Sequence, residues 1–250
     1  PSSSKLKPSP KLLTLLGNLT KDERNRIFIV TNQQKEFLSE AFKEVNDIGL
    51  AGEYGFFYKP PKEKDYTKFS TLFSLKDWSW KETVLKILQS FKAKTEGSYI
   101  VNKEATIAWY YKDCDSYFGH LQANELTSHL NNIFEGGRID VVNGKDCVEI
   151  KPKNVNKGYF ISHIIQNEFL NSKYVDFVMA IGDDDSDEEM FKYLSSMEFQ
   201  FNQLKKKEKE IVTFGVTVGK KPSTAKYFLN EVNEIILYLD SLSHKDIKKM

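Results

Sequence analysis

Cysteine is scarce in this chain of 250 residues. Cys114 and Cys147 are the only two, too few for a disulfide framework and without the spacing of a metal site. A reducing compartment, the cytoplasm, is therefore expected. Long apolar runs are missing as well. None approaches the length of a membrane span, so no membrane partner is expected. Neither sign of charge dominates. Lys and Arg total 36 against 35 Asp and Glu, a net charge of +1, which gives no reason to expect a nucleic-acid partner. Even the densest charged run, residues 205–210, mixes signs without interleaved aromatics and reads as a solvated loop or helix face. Pro1-Ser2-Ser3-Ser4 has the features of neither a signal nor a transit peptide, and it starts as an excised domain would. One absence is local: no Asp or Glu precedes Asp22.

Hydrophobic residues at 40% and charged residues at 28% are the profile of a globular chain. The length allows one large domain, or a core domain carrying a smaller one. After a loop over residues 1–10, a short helix is predicted over 11–19. Ile27-Phe28-Ile29-Val30 is an unbroken apolar run, suited to a strand buried on both faces. An amphipathic helix over 34–45 and a strand over 49–51 complete a β-α-β unit, the signature of a doubly wound parallel sheet. Lys59-Pro60-Pro61-Lys62-Glu63-Lys64 reads as a linker. Beyond it come a helix (81–92), strands (98–101, 105–111), a long helix (122–134) and strands (138–142, 147–150) turned by Asn143-Gly144. Helix-strand-strand, repeated, describes a small α/β sandwich with an antiparallel sheet. From Asn156 the β-α-β texture resumes, with helices over 157–170, 186–195 and 230–242 and strands over 175–181 and 211–218. The expected architecture is α/β: a Rossmann-like core of residues 1–59 and 148–250, with an inserted α/β domain of residues 60–147.

Ligands bind beyond the carboxyl ends of strands in such sheets. The strand over 175–181 delivers Gly182-Asp183-Asp184-Asp185-Ser186-Asp187. Crowded carboxylates repel one another, and a bound cation relieves this. Hard oxygen donors favour Mg²⁺, which keeps waters and meets substrate phosphate. A helix cap at Ser186 with acidic first-turn residues explains the later positions, but not Asp183 and Asp184 directly after a buried strand. Lys157 sits where a loop enters a helix, a place that attracts phosphate, although a single lysine is more often merely solvated. Thr31 and Asn32 offer donors at the end of the first strand, for a phosphate oxygen or for a helix cap. Glu149 and Lys151 share one face of a strand. Their alternation with Val148 and Ile150 is that of any half-exposed strand.

In order along the chain, these motifs resemble the trehalose-6-phosphate phosphatase family of the haloacid dehalogenase superfamily. The likeness is nearest to the phosphatase-like C-terminal half of two-domain trehalose-phosphate synthases. It is carried by Ile181-Gly182-Asp183-Asp184-Asp185-Ser186-Asp187-Glu188-Glu189-Met190-Phe191, Val148-Glu149-Ile150-Lys151-Pro152 and Val155-Asn156-Lys157-Gly158. Gly49-Leu50-Ala51-Gly52-Glu53-Tyr54-Gly55 and Thr217-Val218-Gly219-Lys220-Lys221-Pro222-Ser223 add to it.

The resemblance implies Mg²⁺-dependent hydrolysis of trehalose 6-phosphate, or a related sugar phosphate, through an aspartate nucleophile. A second aspartate two residues later serves as acid and base. It makes Asp183 a metal ligand, Asp187 its support, Lys157 the phosphate-binding lysine and Thr31 a hydroxyl donor. Asn32, Lys145, Glu149 and Lys151 fall to substrate binding, with the inserted domain as a cap. A synthase domain, in cis or in trans, is the implied protein partner. The family's Asp-x-Asp-x-Thr strand precedes the segment that aligns with residues 1–20, and it is absent from these residues. Gln33 stands where the family has Arg, and Tyr54 where it has His. These departures imply the alternative of an inactive regulatory domain that binds sugar phosphate or a synthase partner.

Overall fold

The structure is a computed structural model that describes residues 7–69, 78–171, 175–204 and 211–243. The charged run over 205–210 lies outside the described residues. The chain divides into two compact units, residues 1–68 with 156–250, and residues 69–155.

In the first unit, helix α1 (Pro10–Leu19) begins where Pro10 follows Ser9, whose hydroxyl accepts from the Leu12 amide at 3.2 Å. Proline suits a first helical turn, because its missing N–H would be unpaired there anyway. Strand β1 (Phe28–Val30), helix α2 (Lys35–Ala41) and strand β2 (Gly49–Gly52) follow, with β1 and β2 parallel. Leu16 of α1 and Leu38 of α2 pack with Ile48 and Leu50 beneath them.

Two short strands, β3 (Phe57–Lys59) and β4 (Thr67–Lys68), extend this sheet antiparallel. The expected linker at Pro60-Pro61 is the turn between them. The prolines sit where no ladder hydrogen bond is required, so the sheet continues past them and the boundary moves to Lys68.

The second unit holds helix α3 (Ser79–Lys94), strands β5 (Tyr99–Asn102) and β6 (Ile107–Tyr110), helix α4 (Ser116–Ile133) and strands β7 (Ile139–Gly144) and β8 (Cys147–Pro152). Its antiparallel sheet runs β5-β6-β8-β7. Val84 and Leu88 of α3 and Leu126 and Leu130 of α4 bury Ile107, Trp109, Val148 and Ile150 on one face.

Asn143-Gly144 is not the turn between β7 and β8. Those residues pair with Val148 and Cys147, and Lys145-Asp146 turns the chain, with Asp146 at φ 55°. The junction expected after Cys147 would cut β8. The ladder with β6 and β7 keeps that strand whole, and the division falls after Val155.

The chain returns to the first unit through helix α5 (Lys157–Asn171), strand β9 (Phe177–Gly182), a 3₁₀ turn (Asp185–Asp187), helix α6 (Glu188–Leu204), strands β10 (Val212–Val218) and β11 (Tyr227–Leu229) and helix α7 (Val232–Ser243). Strands β9, β10 and β11 are parallel and ordered β11-β10-β9. Parallel strands in β-α-β order were expected; their division is a finding. Among the described residues they form two sheets, one ending at β1 and the other at β9, each edge bonded on one side only.

Helix α5 packs against both sheets. Phe160 meets Phe28 and Tyr58 edge-on at 5.8 and 5.7 Å. Ile165 joins Ala180, Phe191 and Leu194 under β9 and α6.

Candidate active site

The acidic segment begins where β9 ends. Gly182 carries no side chain for a steric reason: a Cβ there would collide with the Asp187 carboxylate. Asp187 is 4% exposed and folds the segment around itself. Its Oδ2 accepts from the amides of Asp183 and Asp184 at 3.0 and 2.9 Å. Its Oδ1 accepts from Lys157 Nζ at 2.7 Å. Lys157, the first residue of α5, is itself 6% exposed, so its charge and that of Asp187 are buried together. Breaking such a pair leaves one charge unpaired and costs about 3–5 kcal/mol.

Asp183 and Asp184 stay at the surface. One ligand atom from each lies within 4.8 Å of the others and of one on Asp187. Burial, and next the charge of Asp183, push the Asp184 carboxyl above its ordinary range, with Lys157 and Lys221 opposing. The donor set fits a hard divalent cation, because Mg²⁺ is commonly held by one or two carboxylates plus phosphate and water. Asp187 already serves three donors, so Asp183 and Asp184 are the residues that would hold the ion. Asp185 is outside this group.

Thr31 lies just past β1. Its amide donates to Ala51 O at 3.0 Å, and its carbonyl accepts from the Tyr54 amide at 2.9 Å. Its hydroxyl oxygen accepts from the Gln33 amide at 3.2 Å, and Asn32 is half-buried in the same turn. The facing turn is contorted: Glu53, Tyr54 and Gly55 have φ of 47°, 63° and 92°. Only glycine takes such a φ without strain, and Gly55 also faces Phe160 of α5 too closely for a Cβ. Thr31 is thus fixed to the Tyr54 turn, and that turn to the helix that begins with Lys157.

In the second unit, Glu149 and Lys151 do share a face of β8, but the half-exposed strand reading is corrected. Both are buried, at 4% and 7% exposure. Glu149 accepts from Lys103 Nζ at 3.0 Å in a second buried ion pair. Lys145 is exposed in the β7–β8 turn.

Two participants escaped the sequence reading: Lys103 pairs with Glu149, and Lys221 donates to the Asp183 carbonyl. Asp184, which the triple aspartate already pointed to, completes the acidic group. Lys221 stood in the C-terminal segment of the resemblance without a role, and nothing marked Lys103.

The fold is that of the haloacid dehalogenase-like hydrolases. A member from Bacteroides thetaiotaomicron superposes with a TM-score of 0.62 at 11% identity, over 96% of this chain and 95% of the other. The trehalose-phosphatase family matches residues 1–233, and the chain belongs to that family. The C-terminal domain of Candida albicans trehalose-6-phosphate phosphatase is 28% identical, with a TM-score of 0.85 over 97% of this chain and 87% of that one. Arabidopsis thaliana alpha,alpha-trehalose-phosphate synthase 5 is 34% identical over 97% of this chain. The B synthase of Dictyostelium discoideum is 34% identical over 76% of it. The chain spans 27% and 23% of the length of these two synthases. It is a trehalose-phosphatase-like domain of the kind that such synthases carry.

Proposed function

We propose that this domain hydrolyses trehalose 6-phosphate to trehalose and phosphate in trehalose synthesis, with its carboxylate nucleophile supplied by sequence outside these 250 residues. The observation that carries the reading is the buried Lys157–Asp187 pair, which shapes the Asp183–Asp184 loop at the end of a parallel strand. An ammonium carries three donors, and one is used on Asp187. The remaining two are suited to phosphoryl oxygens. Thr31 offers a hydroxyl to the same group, and Asn32 an amide. Bound Mg²⁺, held by Asp183 and Asp184, would add positive charge opposite the phosphoryl oxygens.

Among the described residues β1 and β9 are each bonded on one side only, which supports a further parallel strand. Sugar recognition is assigned to Glu149 and Lys151, buried on one strand, and to Lys145 in the turn before it. The free cysteines Cys114 and Cys147 fit a cytoplasmic protein. No helix among the described residues is long and apolar enough to cross a membrane.

A second reading rests on Gln33 and Tyr54. With a cation and an imidazole missing from the family pattern, the domain would bind sugar phosphate or a synthase domain, in cis or in trans, and regulate synthesis without turnover. A chain extended upstream, given trehalose 6-phosphate and Mg²⁺, separates the two. Phosphate release supports hydrolysis; calorimetric binding without release supports regulation.

A further inference from the structure

We propose that the carboxyl end of β10 carries a second anion site, suited to a phosphate monoester of a single sugar ring. A cavity of about 280 Å³ opens there, with Thr217, Lys220, Lys221, Lys226 and Phe228 among its walls. That volume lies just below the range of drug-sized sites and admits one ring with its phosphate.

Thr217 is the informative residue. It is 3% exposed, and its hydroxyl oxygen has no hydrogen-bond partner. Buried polar groups are almost always paired, and an unpaired one penalises the fold. An oxygen of a bound anion would accept the Thr217 hydroxyl proton and remove that penalty.

The lysines supply the charge. All three belong to the short connection between β10 and β11, which turns at Gly219 with φ +91° and no atom within 4 Å of an added Cβ. Lys221 spends one donor on the Asp183 carbonyl and, as an ammonium, has others. The neighbouring carboxylate, Glu188, is occupied: it accepts from Ser223 Oγ, from Thr224 N and from Thr224 Oγ1. Thr217 and Phe228 are register partners in parallel strands, so their side chains leave the sheet on the same face. Phe228 is 57% exposed, and its ring offers an apolar surface to the C–H face of a sugar beside the anion.

Lys221 also touches the acidic loop through the Asp183 carbonyl, whereas Thr217, Lys220 and Phe228 have no part in the Asp183–Lys157–Thr31 group, so the site is separable by mutation at those three. The test is thermal unfolding and calorimetry of the protein in EDTA with inorganic phosphate, glucose 6-phosphate or glucose. Both anions should raise Tm, glucose 6-phosphate by more, and glucose should not. Thr217→Val should raise the ligand-free Tm, because it deletes the unpaired hydroxyl, and weaken phosphate binding by about tenfold or more. Lys220→Met should weaken binding as well, which keeps the test informative should the valine variant misfold. Thr31→Val, which alters the Lys157 group alone, should leave intact the part of the response that Thr217→Val removes. No response in the unmodified protein, or one unchanged by Thr217→Val and Lys220→Met, would overturn the proposal.

Discussion

Two buried lysine–carboxylate pairs, one in each compact unit, differ in what surrounds them. Lys157–Asp187 closes at 2.7 Å and Lys103–Glu149 at 3.0 Å, with every side chain at 8% exposure or less. Asp187 also gathers two backbone amides, and those amides belong to residues whose own carboxylates reach solvent. The pair is the keystone of a charged loop. Glu149 sits mid-strand between Val148 and Ile150, in a rigid antiparallel sheet, and presents a fixed polar group with no loop to shape. In the function proposed above, one pair organises a place for a cation and a phosphate. The other sets polar groups at fixed positions on a sheet, as recognition of sugar hydroxyls would require.

That contrast can be broken most severely at Asp187. Asp187→Ala removes the partner of Lys157 and the acceptor of two amides, so it should cost at least the about 3–5 kcal/mol of a broken buried pair. Denaturant unfolding would show it. Lys103→Met removes the ammonium that donates to Glu149 and should cost a smaller amount than Asp187→Ala, which also takes the acceptor from two loop amides. The double replacement Lys103→Met with Glu149→Leu should recover much of the loss, because buried ion pairs replaced by apolar groups are often neutral. A double-mutant cycle without recovery would mean that Glu149 is held by more than Lys103. Gly182→Ala forces a methyl group into the Asp187 carboxylate. It should cost about 1–3 kcal/mol and impair cation binding together with stability.

The smallest effect is electrostatic. Asp184 has its carboxyl raised by burial and by Asp183, so its ionisation works against the folded state. The protein should lose some stability as pH rises through the titration of Asp184, and Asp184→Asn should suppress that loss in EDTA. Unfolding curves followed from acid to neutral pH would check the sign.

The two pairs were also unequally legible in the sequence. The loop after β9 announced itself because three aspartates follow an apolar run, and like charges so placed need a reason. Lys157 had a place at a helix start but not its partner, thirty residues away. Glu149 was hidden by its own strand: polar–apolar alternation describes an exposed face equally well, and only three-dimensional packing shows that both faces of β8 are covered. Lys103 stands in a loop between two strands, where a lysine is ordinarily solvated, and no local pattern distinguishes a buried one. The β-α-β order was readable from apolar runs, whereas β3, β4 and β11 were missed. They are two or three residues long, too short for periodicity to register. The Asn143-Gly144 signal was real turn chemistry displaced by two residues, because register is set by packing against β6 as well as by the turn.

The central claim is that the Asp187-anchored loop binds a divalent cation through Asp183 and Asp184. It is tested most directly by titrating the protein with Mg²⁺ in a calorimeter, alongside Asp183→Asn and Asp185→Asn. The expected result is one bound ion, weakened strongly by Asp183→Asn and left nearly unchanged by Asp185→Asn, which lies outside the carboxylate group. Equal affinities in all three proteins would contradict it.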